Sequence, residues 1–466
     1  MGEIKSGKTM ELTEGSIGKQ LLKFFLPIMF GTFFQQLYNT IDAIVVGRFV
    51  GSNALAAVGG SAGMIVNLIV GFFVGLTAGA TVIVSQYFGS GDKERVNKGM
   101  HTIYAFSIVG GAIISILGYM IAPALLTAMQ TPADIYADSL AYLRVFLLGI
   151  VFVFVYNTGS ALLRAIGDSR RPLNYLIVCC IVNIALDLLF VVVLRKGVLG
   201  VAVATLIAQA ISSVLVTIAL VRSRHLCEFS LKEIRIDCPT LKKQIYIGFP
   251  GGVQSSMYAL SNMILQTAVN SIGTDAAAAW TAVGKMDAIF WMVGGSLGTA
   301  LTTVVGQNYG AGKMNRVQKS VSMGLRMYFA FETAIVVILM VFQKQLFSIF
   351  TDNQAVLEIA VTTFSIMAPF YLLFAFIEIY SCALRGMGDV MIPMIMTMLG
   401  ICGFRVLWSI LIVPINPSME LISWNYPFSW ALTSTCFIIY YRYKMRFYNN
   451  LLCFLSFLLR KGKCCK

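Results

Sequence analysis

Long apolar runs separated by short polar stretches repeat along almost the whole chain, and each is long enough to cross a bilayer as a helix. Twelve can be drawn, at 24–47, 55–85, 102–127, 141–162, 173–194 and 198–221, then 245–271, 276–305, 321–343, 358–383, 392–414 and 421–441. The pattern predicts an all-α polytopic membrane protein. Several runs exceed a bilayer's thickness and should tilt or extend into the interface.

Composition supports lipid as the solvent. Of 466 residues, 58% are hydrophobic and 12% charged, with a mean hydropathy of +0.80. A soluble domain carries about twice that charge fraction. The net charge of +14 would suggest nucleic acid in a soluble protein. Here the cations have a positional explanation. Of 35 Lys and Arg, only Arg48, Arg195, Lys196 and Lys344 lie in one set of loops, and Arg144, Lys285, Arg326 and Arg405 fall inside spans. The remaining 27 lie in the other loops and at the two ends. Both termini are therefore expected to be cytoplasmic. The ten cysteines form no Cys-x-x-Cys pair, Cys179, Cys180, Cys382 and Cys402 sit in apolar runs, and the two histidines (His101, His225) add no metal pattern. The polar N-terminus is not expected to act as a cleavable signal peptide, and the myristoylation-like Met1–Ser6 is read as chance.

Offsets of 221–223 residues superimpose the two halves. Pro27 meets Pro250, and Gly51-Ser52-Asn53-Ala54 meets Gly273-Thr274-Asp275-Ala276. Gln86-Tyr87-Phe88-Gly89-Ser90-Gly91 meets Gln307-Asn308-Tyr309-Gly310-Ala311-Gly312, and Leu163-Arg164-Ala165-Ile166-Gly167-Asp168 meets Leu384-Arg385-Gly386-Met387-Gly388-Asp389. Six spans per copy make these parallel repeats, and two such bundles are expected to flank a central cleft. The expected organisation is an N-terminal six-helix lobe over 1–223, a cytoplasmic linker over 224–241, a C-terminal six-helix lobe over 242–445 and a basic cytoplasmic tail over 446–466. The Gly-x-Gly blocks lack the Gly-Lys-Ser/Thr of a phosphate loop and read as turns. The repeated Leu-Arg-x-x-Gly-Asp blocks read as loop anchors through Arg–Asp pairing.

Charge at membrane depth costs roughly 2.5–3.5 kcal/mol on insertion scales, so it marks function. The carboxylates at depth are Asp42, Asp187, Asp287, Glu332 and Glu378. Asp42 has Tyr38 one turn back, and Pro27, fifteen residues earlier, offers a hinge in span 1. Asp187 has Asn183 one turn back. The second half does not repeat this set: Asp42 falls against Ile264 or Leu265, and Asp187 against Trp408. Lys285 and Asp287 project from different faces of span 8, and Glu378 aligns with Asn157. Glu378 or Asp287, with Lys285 near one of them and Asn157 at the matching position of span 4, is the expected substrate-attracting set in the cleft.

With Pro27, Leu37-Tyr38-Asn39-Thr40-Ile41-Asp42, the two Gln-x-x-Gly-x-Gly ends, the two Leu-Arg-x-x-Gly-Asp ends and Asn183-Ile184-Ala185-Leu186-Asp187, the chain resembles multidrug and toxic compound extrusion (MATE) transporters of the DinF-type branch. The resemblance covers roughly 15–445. It implies a cation-driven antiporter with two six-helix lobes, and it implies that Asp42 and Asp187 face each other, with Tyr142 and Thr205 at further polar positions of their cluster. Two carboxylates in one dry pocket suit proton coupling, and the same oxygens with an amide and a hydroxyl suit sodium. Both ions remain open, with sodium at Asp42, Asp187 and Asn183.

The expected function is efflux of amphipathic, mainly cationic compounds by antiport with protons or sodium through alternating access, in the cell membrane. The alternative is a flippase for a lipid-linked or amphipathic lipid. No enzyme chemistry, cofactor, nucleic acid or ATPase subunit is expected, and the chain is expected to act as a monomer in the lipid bilayer.

Overall fold

The computed structural model describes residues 12–223 and 229–463, with the side chains of 449 and 451–463 excepted. The myristoylation-like segment lies outside these residues. So do five residues of the expected linker and the last three of the chain.

Twelve long helices carry the fold. They are α1 (Ile17–Phe49), α2 (Ser52–Gly89), α3 (Lys93–Ala128), α4 (Ala133–Ala165), α5 (Arg170–Val193) and α6 (Gly197–Arg222), then α7 (Cys238–Ile272), α8 (Thr274–Gly310), α9 (Met314–Val341), α10 (Gln354–Gly386), α11 (Met391–Ile415) and α12 (Met419–Lys463). Among the described residues ten are long and apolar enough to cross a membrane, and α7 and α12 are the more polar pair. No strand occurs among the described residues. The expected basic tail is, in its backbone, a continuation of α12 to Lys463.

Helix α3 shows how the two faces are divided. Ile113, Ile116, Leu117 and Met120 recur at helical spacing and are 50% or more exposed, an apolar stripe that only lipid can cover. The opposite face carries Gly111, Ser115, Gly118 and Ala122. A methyl group on Gly111 would lie 2.8 Å from Val151 Cα, and one on Gly118 would lie 3.1 Å from Leu147, so small residues let α4 pack close.

Packing divides the chain into two units, one running to Ala259 and adding Gly295–Gly324 and Arg385–Val390, the other holding Leu260–Gly294, Leu325–Leu384 and Met391 onward. The first unit contains both copies of the glutamine–glycine motif, and they meet each other reciprocally. A methyl on Gly89 would lie 1.9 Å from the Gln307 carbonyl oxygen, and one on Gly310 would lie 1.9 Å from that of Gln86. Gln86 Nε2 donates to the Gly386 carbonyl at 2.8 Å, and Gln307 Nε2 donates to that of Ala165 at 2.8 Å. Each glycine thus permits the crossing of α2 and α8, and each glutamine satisfies an orphan carbonyl at a helix end. The turns expected at the second glycines are present, with Gly91 and Gly312 at φ of 75° and 70°.

In the Leu-Arg-x-x-Gly-Asp block, the anchor differs from expectation. Asp168 Oδ2 pairs with Arg171 Nε at 2.8 Å, not with Arg164, while Oδ1 accepts the Arg170 and Arg171 amides at 3.1 Å each. Gly167, at φ 91°, turns the chain so that Asp168 caps the start of α5. Loss of such a cap costs about 1–2 kcal/mol. Asp168→Ala is therefore expected to lower the melting temperature by several degrees in a detergent thermal-shift assay, with Asp168→Asn retaining part of the loss.

The linker beyond the undescribed stretch docks on α3. His101 stacks on Phe229 with centroids 4.8 Å apart and meets the Ser230 backbone through Nε2, while the Asp237 amide donates to Thr102 Oγ1 at 3.2 Å.

Candidate functional site

In the first unit, Asp42 lies two turns before the end of α1, about 10 Å along the axis. Asp187 lies where α5 changes character. The α-helix ends there, and residues Leu188–Val193 form wider π-turns, with the Leu194 amide reaching Leu189 O at 2.9 Å. Such wide turns re-aim side chains and recur at functional sites. The apolar cluster of Val45, Val46, Ala54, Val191, Val198 and Val201 holds these helix ends together.

The two carboxyls lie within hydrogen-bonding reach of each other. Asp187 is 0% exposed and Asn183 1% exposed. Asp42 Oδ1, both Asp187 oxygens and both polar atoms of Asn183 are buried without a hydrogen-bond partner in the protein. The Tyr142 hydroxyl is in electrostatic reach of both acids, and that of Tyr38 in reach of Asp42 and Tyr142. Thr205 is buried on the neighbouring α6. The expected ion-coupling residues on α1, α4 and α5 are thus gathered at one place.

An ionised carboxylate only accepts hydrogen bonds. Two facing carboxylates with no donor between them need a proton or a cation to bridge them, because like charges in a dry site repel strongly. Asn183 Oδ1, one turn before Asp187, adds an oxygen of the kind that hard cations take. Among the described residues, no three His, Cys, Asp or Glu side chains gather as a metal-binding group.

Pro27 sits within an α1 that continues unbroken past it. Asn157 is half-buried on α4, its Nδ2 donating to the Val153 carbonyl at 2.8 Å.

In the second unit, Asp287 Oδ1 accepts from the Tyr371 hydroxyl and lies in the field of Arg405. Glu378 belongs to a different set, near Tyr328 and with Cys382 Sγ 3.4 Å from Oε1. Lys285 is exposed and pairs with neither acid.

The sequence profile of the MatE family matches residues 27–189 and 250–411, both repeats. The chain belongs to the MatE family. This MatE chain is 26% identical to the probable multidrug resistance protein YoeA of Bacillus subtilis over 85% of its own length and 87% of that protein's. It is 31% identical to the probable multidrug resistance protein YpnP of the same species, over 66% of its own length and 69% of that protein's. The fold is that of a MOP-superfamily transporter from Pyrococcus furiosus, with a TM-score of 0.87, 22% identity and coverage of 94% and 99% of the two chains. The family and the helices together make it a multi-pass membrane transporter with the twelve-helix, two-repeat topology. The match is to the MatE family as a whole.

Two features of this MatE chain were not read from sequence. Gln209 is buried with Oε1 unpartnered, one turn beyond Thr205 on α6. The i, i+4 spacing of Thr205, Gln209 and Ser213 in an otherwise apolar helix is the signal that identifies this face. The grouping of Arg405 with Asp287, Tyr371 and Tyr426 has no such signal, because it joins four helices.

Proposed function

We propose that this chain exports small amphipathic, mainly cationic compounds by antiport with protons or sodium ions, through alternating access. The observation carrying this reading is the facing Asp42–Asp187 pair, with buried acceptor oxygens and no donor of its own. The names of the two Bacillus relatives, both probable multidrug resistance proteins, support multidrug compounds as cargo.

In the proposed cycle, a cation arriving from outside bridges Asp42 and Asp187 and favours one arrangement of α1 over another. Substrate favours the other arrangement, and each ligand shifts the balance only by its difference in affinity for the two. Pro27 supplies the bending point, since its ring removes one helix hydrogen bond. The asymmetry of the basic residues supports a plasma-membrane orientation with both termini cytoplasmic. The transporter acts as a monomer and needs no cofactor beyond the coupling ion.

The deciding experiment is dye efflux from liposomes containing the purified protein, with proton and sodium gradients imposed separately. Efflux driven by one of them supports antiport and names the ion; dye movement indifferent to both would refute it. Pro27→Ala restores the missing hydrogen bond and stiffens α1. It is expected to slow gradient-driven efflux about tenfold or more, as loss of roughly 1.4 kcal/mol at a conformational step requires, while the melting temperature stays level or rises.

A further inference from the structure

The second unit holds a buried cation, one edge of which makes no hydrogen bond to the protein. Arg405 is 3% exposed, and its Nε and Nη2 have no partner. These two nitrogens form one edge of the guanidinium, the two-pronged fork that fits a carboxylate bidentately. Nearby, Trp430 is 0% exposed with its indole Nε1 also unpartnered. A buried donor left unsatisfied is destabilising, and more so when it is charged. Tyr426 touches both residues, so the three donors belong to one cluster.

The surroundings hold the fork in position. The Arg405 guanidinium lies over the Tyr426 ring at 4.0 Å, and Tyr426 lies 5.3 Å from Trp430 between centroids. Tyr371 closes the wall, 5.1 Å from Trp430 and stacked on Phe290 at 4.0 Å. Arg405 follows the π-turns of α11 at Met398–Gly403, and Tyr371 follows the break that Pro369 makes in α10. Asp287 is the acid in this group, but it forms no direct ion pair with Arg405, and its Oδ1 already accepts from Tyr371. Asp287 itself is only partly buried.

The repeat gives an independent argument. At offsets of 221–222 residues, Arg405 falls against Ile184 or Asn183, and Tyr426 against Thr205 or Ala204. The scaffold position that carries an acid-rich, cation-seeking cluster in the first half carries an arginine fork in the second.

We propose that Arg405 and Trp430 form a binding site for the carboxylate of an aromatic or amphipathic ligand, with Tyr371 and Tyr426 as its walls. As a cargo site it rests on the efflux reading and extends the cargo to carboxylate-bearing compounds. Binding itself does not depend on that reading.

The test uses the full chain in lipid nanodiscs, dialysed to equilibrium against 2-naphthoate or 2-naphthamide, which share a ring system and differ in charge. Wild type is expected to retain the acid and to bind the amide roughly tenfold or more weakly, the scale of a charge-assisted hydrogen bond. Arg405→Gln should reduce acid binding to the level of the amide. Trp430→Phe, which keeps the ring and removes one donor, should weaken the acid several-fold and leave the amide unchanged. If wild type binds the acid and amide alike, or binds neither, water satisfies the fork and the proposal fails. Ethidium efflux by the same preparations separates the two readings. Its absence in wild type counts against multidrug efflux while leaving the naphthoate result intact.

Discussion

Asp42→Asn and Asp187→Asn are each expected to abolish gradient-driven efflux while leaving a folded protein. Swinging a two-state equilibrium from one side to the other requires about 5.5 kcal/mol of differential binding. In the proposed mechanism the facing carboxyls are the group that draws that energy from a cation. An amide carries no charge to neutralise, so ion binding at the pair loses its electrostatic drive, and dye movement should fall to the passive leak. The fold should not suffer. The Asn side chain matches Asp in shape and brings a donor to face the remaining carboxylate, where Asp42 Oδ1 and both Asp187 oxygens now lack one. A new buried hydrogen bond is worth about 1 kcal/mol, so the melting temperature should hold or rise. Stability gained where activity is lost is the usual signature of a functional site. Gradient-driven dye efflux, measured beside thermal unfolding, checks both halves. Full activity in both variants would remove the pair from the mechanism.

Gly89→Ala is expected to prevent assembly of the folded chain. The added methyl would sit 1.9 Å from the Gln307 carbonyl oxygen and 2.7 Å from its Cα, atoms of a backbone that cannot step aside. Relief requires α2 and α8 to part, and that breaks the bonds from Gln86 to Gly386 and from Gln307 to Ala165. Overpacking costs about 1–3 kcal/mol, and each abandoned buried group adds a similar amount. Together they approach the 5–15 kcal/mol that typically holds a protein folded. Gly310→Ala should behave alike, because Gly310 meets Gln86 O in the reciprocal contact. Gly284→Ala is the control: nothing lies within 4 Å of its added methyl, and it stands on the same helix. Size-exclusion profiles from detergent extracts distinguish the cases, and a normal monodisperse peak for Gly89→Ala would show that the crossing is looser than its geometry.

The periodicity of apolar runs was enough to find the helices, because lipid forces every span to satisfy its own backbone and to face outward with apolar side chains. Duplication was legible for a similar reason. The glutamine–glycine blocks lie at contacts where any side chain on Gly89 or Gly310 collides with backbone, so both copies keep the same residues. The acids Asp42 and Asp187 stood out by their cost at membrane depth, although their pairing came from family resemblance before geometry placed them together. Less visible were features that depend on where helices change pitch. The wide turns after Asp187 and before Arg405 carry no marker residue, yet they lie next to those charges.

Sequence alone thus determined a twelve-span duplicated membrane protein and the short list of charges within it. It did so because burial in lipid penalises each polar residue one at a time. Tertiary structure decided which of those charges meet. Asp42 meets Asp187, Asp168 takes Arg171 in place of Arg164, and Arg405 keeps an unpartnered fork beside Trp430. Partnership is a property of pairs on different helices, set by packing distance and side-chain direction, which no single position along the chain records.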